Sequence, residues 1–483
     1  MKVKRVAMFV SFCLCLFPAA LFADLYAVQW ADTVDNGAWD GANAVAVDQS
    51  CNIIVFGSSF INGDNDYFIV KYDSNGTFLW ADMIDNGGED LGQAVAIDDN
   101  NNIVVTGYCM ISADYDYCTV KYDPGGTIIW QKILDNGGQY DIARGVAIDN
   151  AQNIVITGYC DISGDCVYLT VKYDPAGDII WADTLDYGPF DTALDVAVDN
   201  GDNIIVTGYT TDGQNNDYLT VKYDSDGAIL WQEALDIRQY DQAYGVATDN
   251  YNNVIVTGCS GDFLDDYDFF TVKYDSAGTI LWTDTLDYAN SEDVAYDVAV
   301  DNDNNIYVTG YGLRMSGDYN YYTFKYAPDS TGMWQDLYDN SDQDLAHGIA
   351  VDAHDKIIVT GWSYIGDDMD FFTVKYMPIP GISEHSEQWA GYPTIQVSPN
   401  PAKNRAEITY NAGQSSKGAD LKIYDITGRV VKSFTVATSN SSLPITISWD
   451  CTDNNGNRLP SGVYYIVLEQ EKSKVTKKLL ILK

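Results

Sequence analysis

The chain has 483 residues, enough for two or more domains, and a formal net charge of −43 from 70 Asp/Glu against 27 Lys/Arg. Acidity on that scale excludes nucleic acid and anionic membrane surfaces as partners, because both carry the same sign of charge. Only eight of the acidic residues are Glu, and the surplus of Asp points to turn chemistry and, second, to calcium ligation.

The first element is a leader. Lys2, Lys4 and Arg5 precede an apolar run, Val6–Phe22, and Ala23 is the expected cleavage residue. Residues 1–23 therefore read as a secretory signal peptide. No later stretch is long enough to span a bilayer as a helix, so no transmembrane segment is expected in the mature chain.

A repeat begins immediately afterwards. Trp30, Trp80, Trp130, Trp181, Trp231, Trp282 and Trp334 recur at nearly constant spacing, each in a unit of about fifty residues. In the first unit the β-branched runs predict strand A at Ala44–Val47, strand B at Asn52–Gly57, strand C at Tyr67–Tyr72 and strand D at Thr77–Trp80. Polar A–B turns such as Asp98-Asp99-Asn100-Asn101 and Gly-containing C–D turns separate them. The last strand C, Phe371–Tyr376, has no strand D after it. The missing strand lies at the other end of the chain, at Leu25–Trp30, so the N-terminus is expected to complete the seventh sheet and close a ring. The fold class is all-β: a seven-bladed β-propeller over 24–377, closed by an N-terminal strand and followed by a small Ig-like β-sandwich.

Val70–Trp80 (V-K-Y-D-S-N-G-T-F-L-W) and Ala94–Tyr108 (A-V-A-I-D-D-N-N-N-I-V-V-T-G-Y) resemble the SBBP family of seven-bladed propeller repeats. The resemblance extends over residues 25–376. It departs at Phe324-Lys325-Tyr326-Ala327 in the sixth copy and in the seventh copy, which lacks its own strand D. It implies a fold and no particular activity.

Residues 378–393, with Pro, Gly, Ser and Glu, read as a linker, and 394–483 as a β-sandwich of short alternating strands such as Leu421–Tyr424 and Val463–Leu468. The charge steps at the same place: 391–483 carry 12 Lys/Arg against 7 Asp/Glu, and 1–390 carry 15 against 63. Ser398-Pro399-Asn400-Pro401, Ile423–Arg429, Gly462-Val463-Tyr464-Tyr465 and the basic tail Lys477–Lys483 resemble a type IX secretion C-terminal sorting domain. That resemblance implies secretion machinery as a partner and a secreted or outer-surface location. Trp449–Gly456 also resembles a flagellar hook-cap Ig-like module.

In a propeller the D–A and B–C connections share one face, and candidate chemistry gathers there. An Asp precedes strand A in every copy: Asp40, Asp90, Asp141, Asp191, Asp241, Asp293 and Asp344. These seven either hold a cation at the channel mouth or, as repetition favours, cap local turns or pair with the repeated Lys71, Lys121, Lys172, Lys222, Lys273, Lys325 and Lys375. Positions that differ between copies suit recognition better: Asn43, Gln93, Arg144, Leu194, Tyr244, Tyr296 and His347 just ahead of the apolar part of strand A, and the B–C loops rich in Asp and Tyr. Asp262, Asp265 and Asp266 in one such loop are calcium candidates. The other reading of this rim is a solvated acidic surface.

Seven cysteines follow the leader. Cys109 with Cys118, and Cys160 with Cys166, flank matching hairpin loops and form either local disulfides or free thiols. No nucleophile or metalloprotease motif occurs, and of the three His only His347 reaches the candidate face; His354 lies in an A–B turn and His385 in the linker. The expected function is a non-enzymatic propeller that binds a glycan or protein through its acidic, Tyr-rich face. The alternatives are a carbohydrate-active enzyme using Asp residues at the channel mouth, and a structural surface or adhesion component.

Overall fold

The computed structural model describes residues 2–4, 26–36, 39–112, 114–137, 140–162, 164–211, 213, 215–262, 266–287, 291–313, 317–340, 343–365, 368–378, 394–398, 405–411, 419–425, 429–436, 445–454, 456–460, 462–470 and 473–481. The described residues are all β, and no helix among them is long and apolar enough to cross a membrane. Tyr26–Pro378 and Ile379–Lys483 fall into separate compact units.

The first unit is a β-propeller built from repeated four-stranded antiparallel sheets. In the first sheet strand A is Asp40–Val47, B is Ile53–Ile61, C is Asp64–Tyr72 and D is Phe78–Ile84. The last sheet takes A, B and C from Asp344–Val351, Ile357–Ile365 and Asp368–Pro378, and its fourth strand is Tyr26–Asp35. The N-terminal strand thus closes the ring, pairing Val28 with Tyr376 and Trp30 with Lys375. Each strand A packs against the strand A of the next unit, and that of the last unit against the first. Lys2–Lys4 pairs with Thr33–Asp35 on the outer side of the closing strand. The rest of the expected signal peptide and the linker 379–393 lie outside the described residues.

Strands B and C lie between neighbouring sheets and are covered on both faces. Ile53, Ile54, Val55, Phe56 and Val70 are completely buried, which is why these runs are continuously apolar. The strands run further toward the B–C end than their apolar runs predict. Asp64–Asp66 belongs to strand C, and the B–C connection tightens to a turn with Asn62 and Gly63 at positive φ, 61° and 119°. Polar residues in a strand end look like a loop by composition alone.

The repeated Trp is a latch between units. Trp80 Nε1 donates to Pro124 O in the next C–D turn at 3.2 Å, and the equivalents from Trp181 and Trp231 go to Ser225 O and Ser276 O. The indole lies over the turn glycine. A Cβ on Gly76 would come 2.8 Å from Trp30, and one on Gly126 2.9 Å from Trp80; both glycines also have positive φ.

The C-terminal unit has two sheets. Thr394–Ser398, Ala406–Asn411 and Ile445–Trp449 form one; Val430–Val436, Ala419–Asp425, Gly462–Gln470 and Ser473–Ile481 form the other. Leu421, Ile423, Trp449, Tyr464, Ile466 and Leu479 share one buried core.

Candidate functional site

The A–B ladder slips by one residue at the same place in every unit. In the first, the pairing jumps from Ala42–Gly57 to Ala44–Phe56 and leaves Asn43 as the extra residue. The same shift isolates Gln93, Arg144, Leu194, Tyr244, Tyr296 and His347. All seven variable positions are therefore bulge residues on the strands that ring the channel. A bulge re-aims one side chain out of the alternating pattern, and here it does so once per unit with a different side chain each time.

These side chains meet their neighbours around the ring. Asn43 Nδ2 donates to Gly92 O at 2.7 Å, and an Arg144 guanidinium N–H donates to Gln93 Oε1 at 2.7 Å. Arg144 also lies 6.0 and 5.9 Å from the ring centres of Tyr108 and Tyr159. On the other side Tyr244 and Tyr296 are 4.9 Å apart, and Tyr296 stacks on His347 at 4.5 Å and 13°. Tyr296 continues to Tyr311, and Tyr311 to Tyr319, whose hydroxyls both donate to Glu292. One side of the ring is polar and the other aromatic, with Leu194 between. Burial in the stack pushes His347 down to about 4, so its imidazole is neutral at physiological pH.

Two residues escaped the sequence analysis. Asp195 and Asp297 follow the bulge directly, where the other units have Ala44, Ala94, Gly145, Gly245 and Gly348. Asp195 accepts from Val196 N at 2.8 Å and from Val246 N of the next unit at 2.9 Å; Asp297 accepts from Val298 N and Ile349 N at 2.7 and 2.8 Å. Burial holds both carboxyls well above the usual range, and the charge of Asp195 raises Asp297 further. Aligning the copies at the residue after the bulge would have singled them out.

The repeated Asp before strand A caps the D–A turn. Asp40, Asp90, Asp141, Asp191, Asp241 and Asp344 accept from the main-chain N–H of Asn36, Asn86, Asn136, Tyr187, Ile237 and Asn340 at 2.5–2.7 Å. Asp40, Asp90, Asp141, Asp191, Asp241, Asp293 and Asp344 are all buried. The repeated Lys, the other expected partner of these residues, instead pairs with a second Asp at the far end of strand A. Lys71, Lys121, Lys172, Lys222, Lys273 and Lys375 lie 2.7–3.0 Å from Asp48, Asp98, Asp149, Asp199, Asp249 and Asp352. The reason is register: Lys71 is the Cα partner of Ile54 near the A–B turn, whereas Asp40 sits at the opposite end of the sheet.

Of the calcium candidates in the fifth hairpin, Asp262 is exposed and is the Cα partner of Asp266, while Asp265 lies outside the described residues. The two cysteine pairs are free thiols. Cys160 is opposite Val167 and Cys166 opposite Asp161, an odd offset that sends their side chains to opposite faces. Cys109 is opposite Asp116, two residues from Cys118, and the two buried thiols share a hydrogen bond. On the other face of the propeller Cys51 Sγ lies 3.5 Å from His354 Nδ1. His385 lies outside the described residues.

Residues 396–482 match the family of secretion system C-terminal sorting domains. The match supports the type IX sorting role that Ser398–Pro401, Ile423–Arg429, Gly462–Tyr465 and Lys477–Lys483 suggested together. The protein is therefore secreted or held at the outer cell surface, and the secretion machinery is a partner of its C-terminal unit. Among curated proteins none matches the chain. Similar solved structures include PorZ, an essential surface component of the type IX secretion system of Porphyromonas gingivalis, at 15% identity and TM-score 0.45. That match covers 91% of this chain, and the chain spans 59% of PorZ. The β-propeller domain of the Trilobed protease from Pyrococcus furiosus matches at 11% identity over 70% of this chain and 93% of its own, TM-score 0.44. The polysaccharide lyase Uly1 matches at 12% identity over 71% and 90%, TM-score 0.44.

Proposed function

We propose that the protein is a secreted or cell-surface, seven-bladed propeller of the SBBP kind that binds a glycan or protein ligand at the ring of bulge residues and catalyses no reaction there. The observation that carries this reading is the bulge itself: one backbone device, repeated in every unit, that presents Asn43, Gln93, Arg144, Leu194, Tyr244, Tyr296 and His347 around one channel. Had the bulge served the fold alone, its side chain would be expected to repeat as the Trp, Lys and Asp do. The division into sides favours a carbohydrate. Aromatic faces pack on the C–H surface of a sugar ring, and amides and a guanidinium hydrogen-bond its hydroxyls. The sandwich serves export, not ligand binding.

An observation that favours the carbohydrate-active alternative is the raised proton affinity of Asp195 and Asp297. Each of these carboxylates is committed to two backbone N–H groups, which leaves neither oriented as a nucleophile or base. A glycan and peptide array probed with the full chain tests the proposal, with parallel incubation of the hit glycans for product analysis. Saturable retention of intact glycans supports it. Cleaved products, or no retained ligand of either class, would overturn it.

A further inference from the structure

Acidic side chains from two successive units converge at the D–A end of the propeller. Asp66 comes from strand C of the first unit, Asp85 follows its strand D, and Asp90 opens strand A of the second. One carboxylate oxygen from each lies within 4.8 Å of the others. Asp116, Asp135 and Asp141 repeat the arrangement one unit on, as do Asp217, Asp236 and Asp241. Asp370, Asp35 and Asp40 repeat it where the N-terminal strand closes the ring.

Three like charges at this separation repel, so something must offset them. Asp66 and Asp90 are 1% and 0% exposed, and the Oδ1 of each has no hydrogen-bond partner. Asp141, 1% exposed, has the same orphaned oxygen. The second oxygen of Asp90 accepts Asn86 N, and Asp85 accepts Gly87 N, so the turn fixes two of the three carboxylates. Among the described residues no Lys or Arg pairs with Asp66, Asp85 or Asp90. Further round, Arg238 reaches Asp268, which stands at the position of Asp66, at 2.8 Å. A buried carboxylate left bare loses its solvation, which a turn cap does not replace.

We propose that Asp66, Asp85 and Asp90 hold a calcium ion, that the trios Asp116/Asp135/Asp141, Asp217/Asp236/Asp241 and Asp370/Asp35/Asp40 do the same, and that these ions tie consecutive units of the ring together. The donor set is all oxygen and anionic, which selects a hard divalent cation. Calcium takes several carboxylates in flexible geometry, whereas magnesium demands a near-ideal octahedron and keeps its waters, so a set of three carboxylates suits calcium better. The trios use none of the bulge residues, so substitutions test ligand recognition and cation binding separately. Asp262, Asp265 and Asp266 are not part of any trio named here.

The test is calcium titration of the chelator-treated full chain by calorimetry, with terbium luminescence sensitised by nearby Tyr and Trp as a second readout. The expected result is saturable binding of at least four ions per chain. Asp66→Asn with Asp85→Asn should remove one ion, and Asp226→Asn in an exposed C–D turn should remove none. Asp85→Asn alone, on an exposed side chain, serves if the double variant does not fold; it should weaken one site at least tenfold. Calcium should also raise the melting temperature more than sodium chloride of equal ionic strength. Equal shifts from the two salts with no saturable heat would overturn the proposal, as would a stoichiometry unchanged by the Asp66 and Asp85 substitutions.

Discussion

Lys71 Nζ and Asp48 Oδ2 meet at 2.9 Å in an interior where each side chain is 2% exposed. Asp48 also accepts the N–H groups of Ser50 and Asn52 and the Asn52 side-chain amide, and the Lys71 ammonium donates to Pro124 O of the next unit. The pair therefore joins an A–B turn to its own strand C and to the neighbouring unit. Breaking a buried pair by removing one partner costs about 3–5 kcal/mol, because the other charge is stranded. Lys71→Met and Asp48→Asn should each destabilise the propeller on that scale in urea unfolding. The double variant should lose less than the two added together, and strict additivity would show that the charges do not depend on one another.

Stability should fall at both ends of the pH scale. Burial opposes the charge of Asp48, Asp98, Asp149, Asp199, Asp249 and Asp352, yet hydrogen bonds and the paired Lys hold all six below the usual carboxylate range. Their contribution is full above the unfolded value of about 3.9 and is lost as pH drops through the folded one. Asp195 and Asp297 act oppositely. Their raised folded values mean that the native state binds more protons than the unfolded chain, so stability declines as pH rises from about 4 past neutrality. Thermal melts from pH 3 to 9 should show a maximum in mild acid. Asp297→Asn should flatten the decline on the basic side, and an unchanged slope would locate it elsewhere.

Closure by the N-terminal strand is also testable. Tyr26 packs 4.9 Å from Trp334 and shares a 2.9 Å hydroxyl contact with Tyr307, while Trp30 covers Gly76. A chain lacking Tyr26–Trp30 loses two core aromatics, each worth about 3–5 kcal/mol, against a typical domain stability of about 5–15 kcal/mol. Its melting temperature should collapse. An unchanged melt would mean that the last sheet does not need its fourth strand.

Much of this was legible in the sequence because the chain repeats itself. The Trp spacing revealed the unit, and a strand count one short at the C-terminal end placed the closing strand at Leu25–Trp30, where the structure has Tyr26–Asp35. Variation between copies marked Asn43, Gln93, Arg144, Leu194, Tyr244, Tyr296 and His347. The bulge that unites them left no trace, since one extra residue in a strand changes no composition. The partner of Lys71 was hidden for a related reason. Each strand A is flanked by an Asp at either end, and only the register of strand C decides between Asp40 and Asp48. The carboxylate trios draw on residues from separate strands and turns in Asp-rich stretches, where no single Asp stands out.

The C-terminal unit should be dispensable for folding and recognition. A chain ending at Pro380 keeps every strand of the propeller. It should melt as the full propeller does and retain any array hit, but accumulate in the periplasm. Its normal appearance outside the cell would show that export does not use residues 396–482.

Ligand recognition by the bulge ring is tested most directly by calorimetric titration of the tightest array hit into the intact chain and into Tyr296→Ala, Arg144→Ala and Tyr251→Ala. Tyr251 is 74% exposed in an A–B turn, away from the ring. A stacking or bidentate contact worth about 1.4 kcal/mol corresponds to a tenfold change in Kd. At least that loss is expected for Tyr296→Ala and for Arg144→Ala, with Tyr251→Ala binding as the unaltered protein does. Full affinity in both ring variants, or a loss confined to Tyr251→Ala, would contradict recognition at the ring.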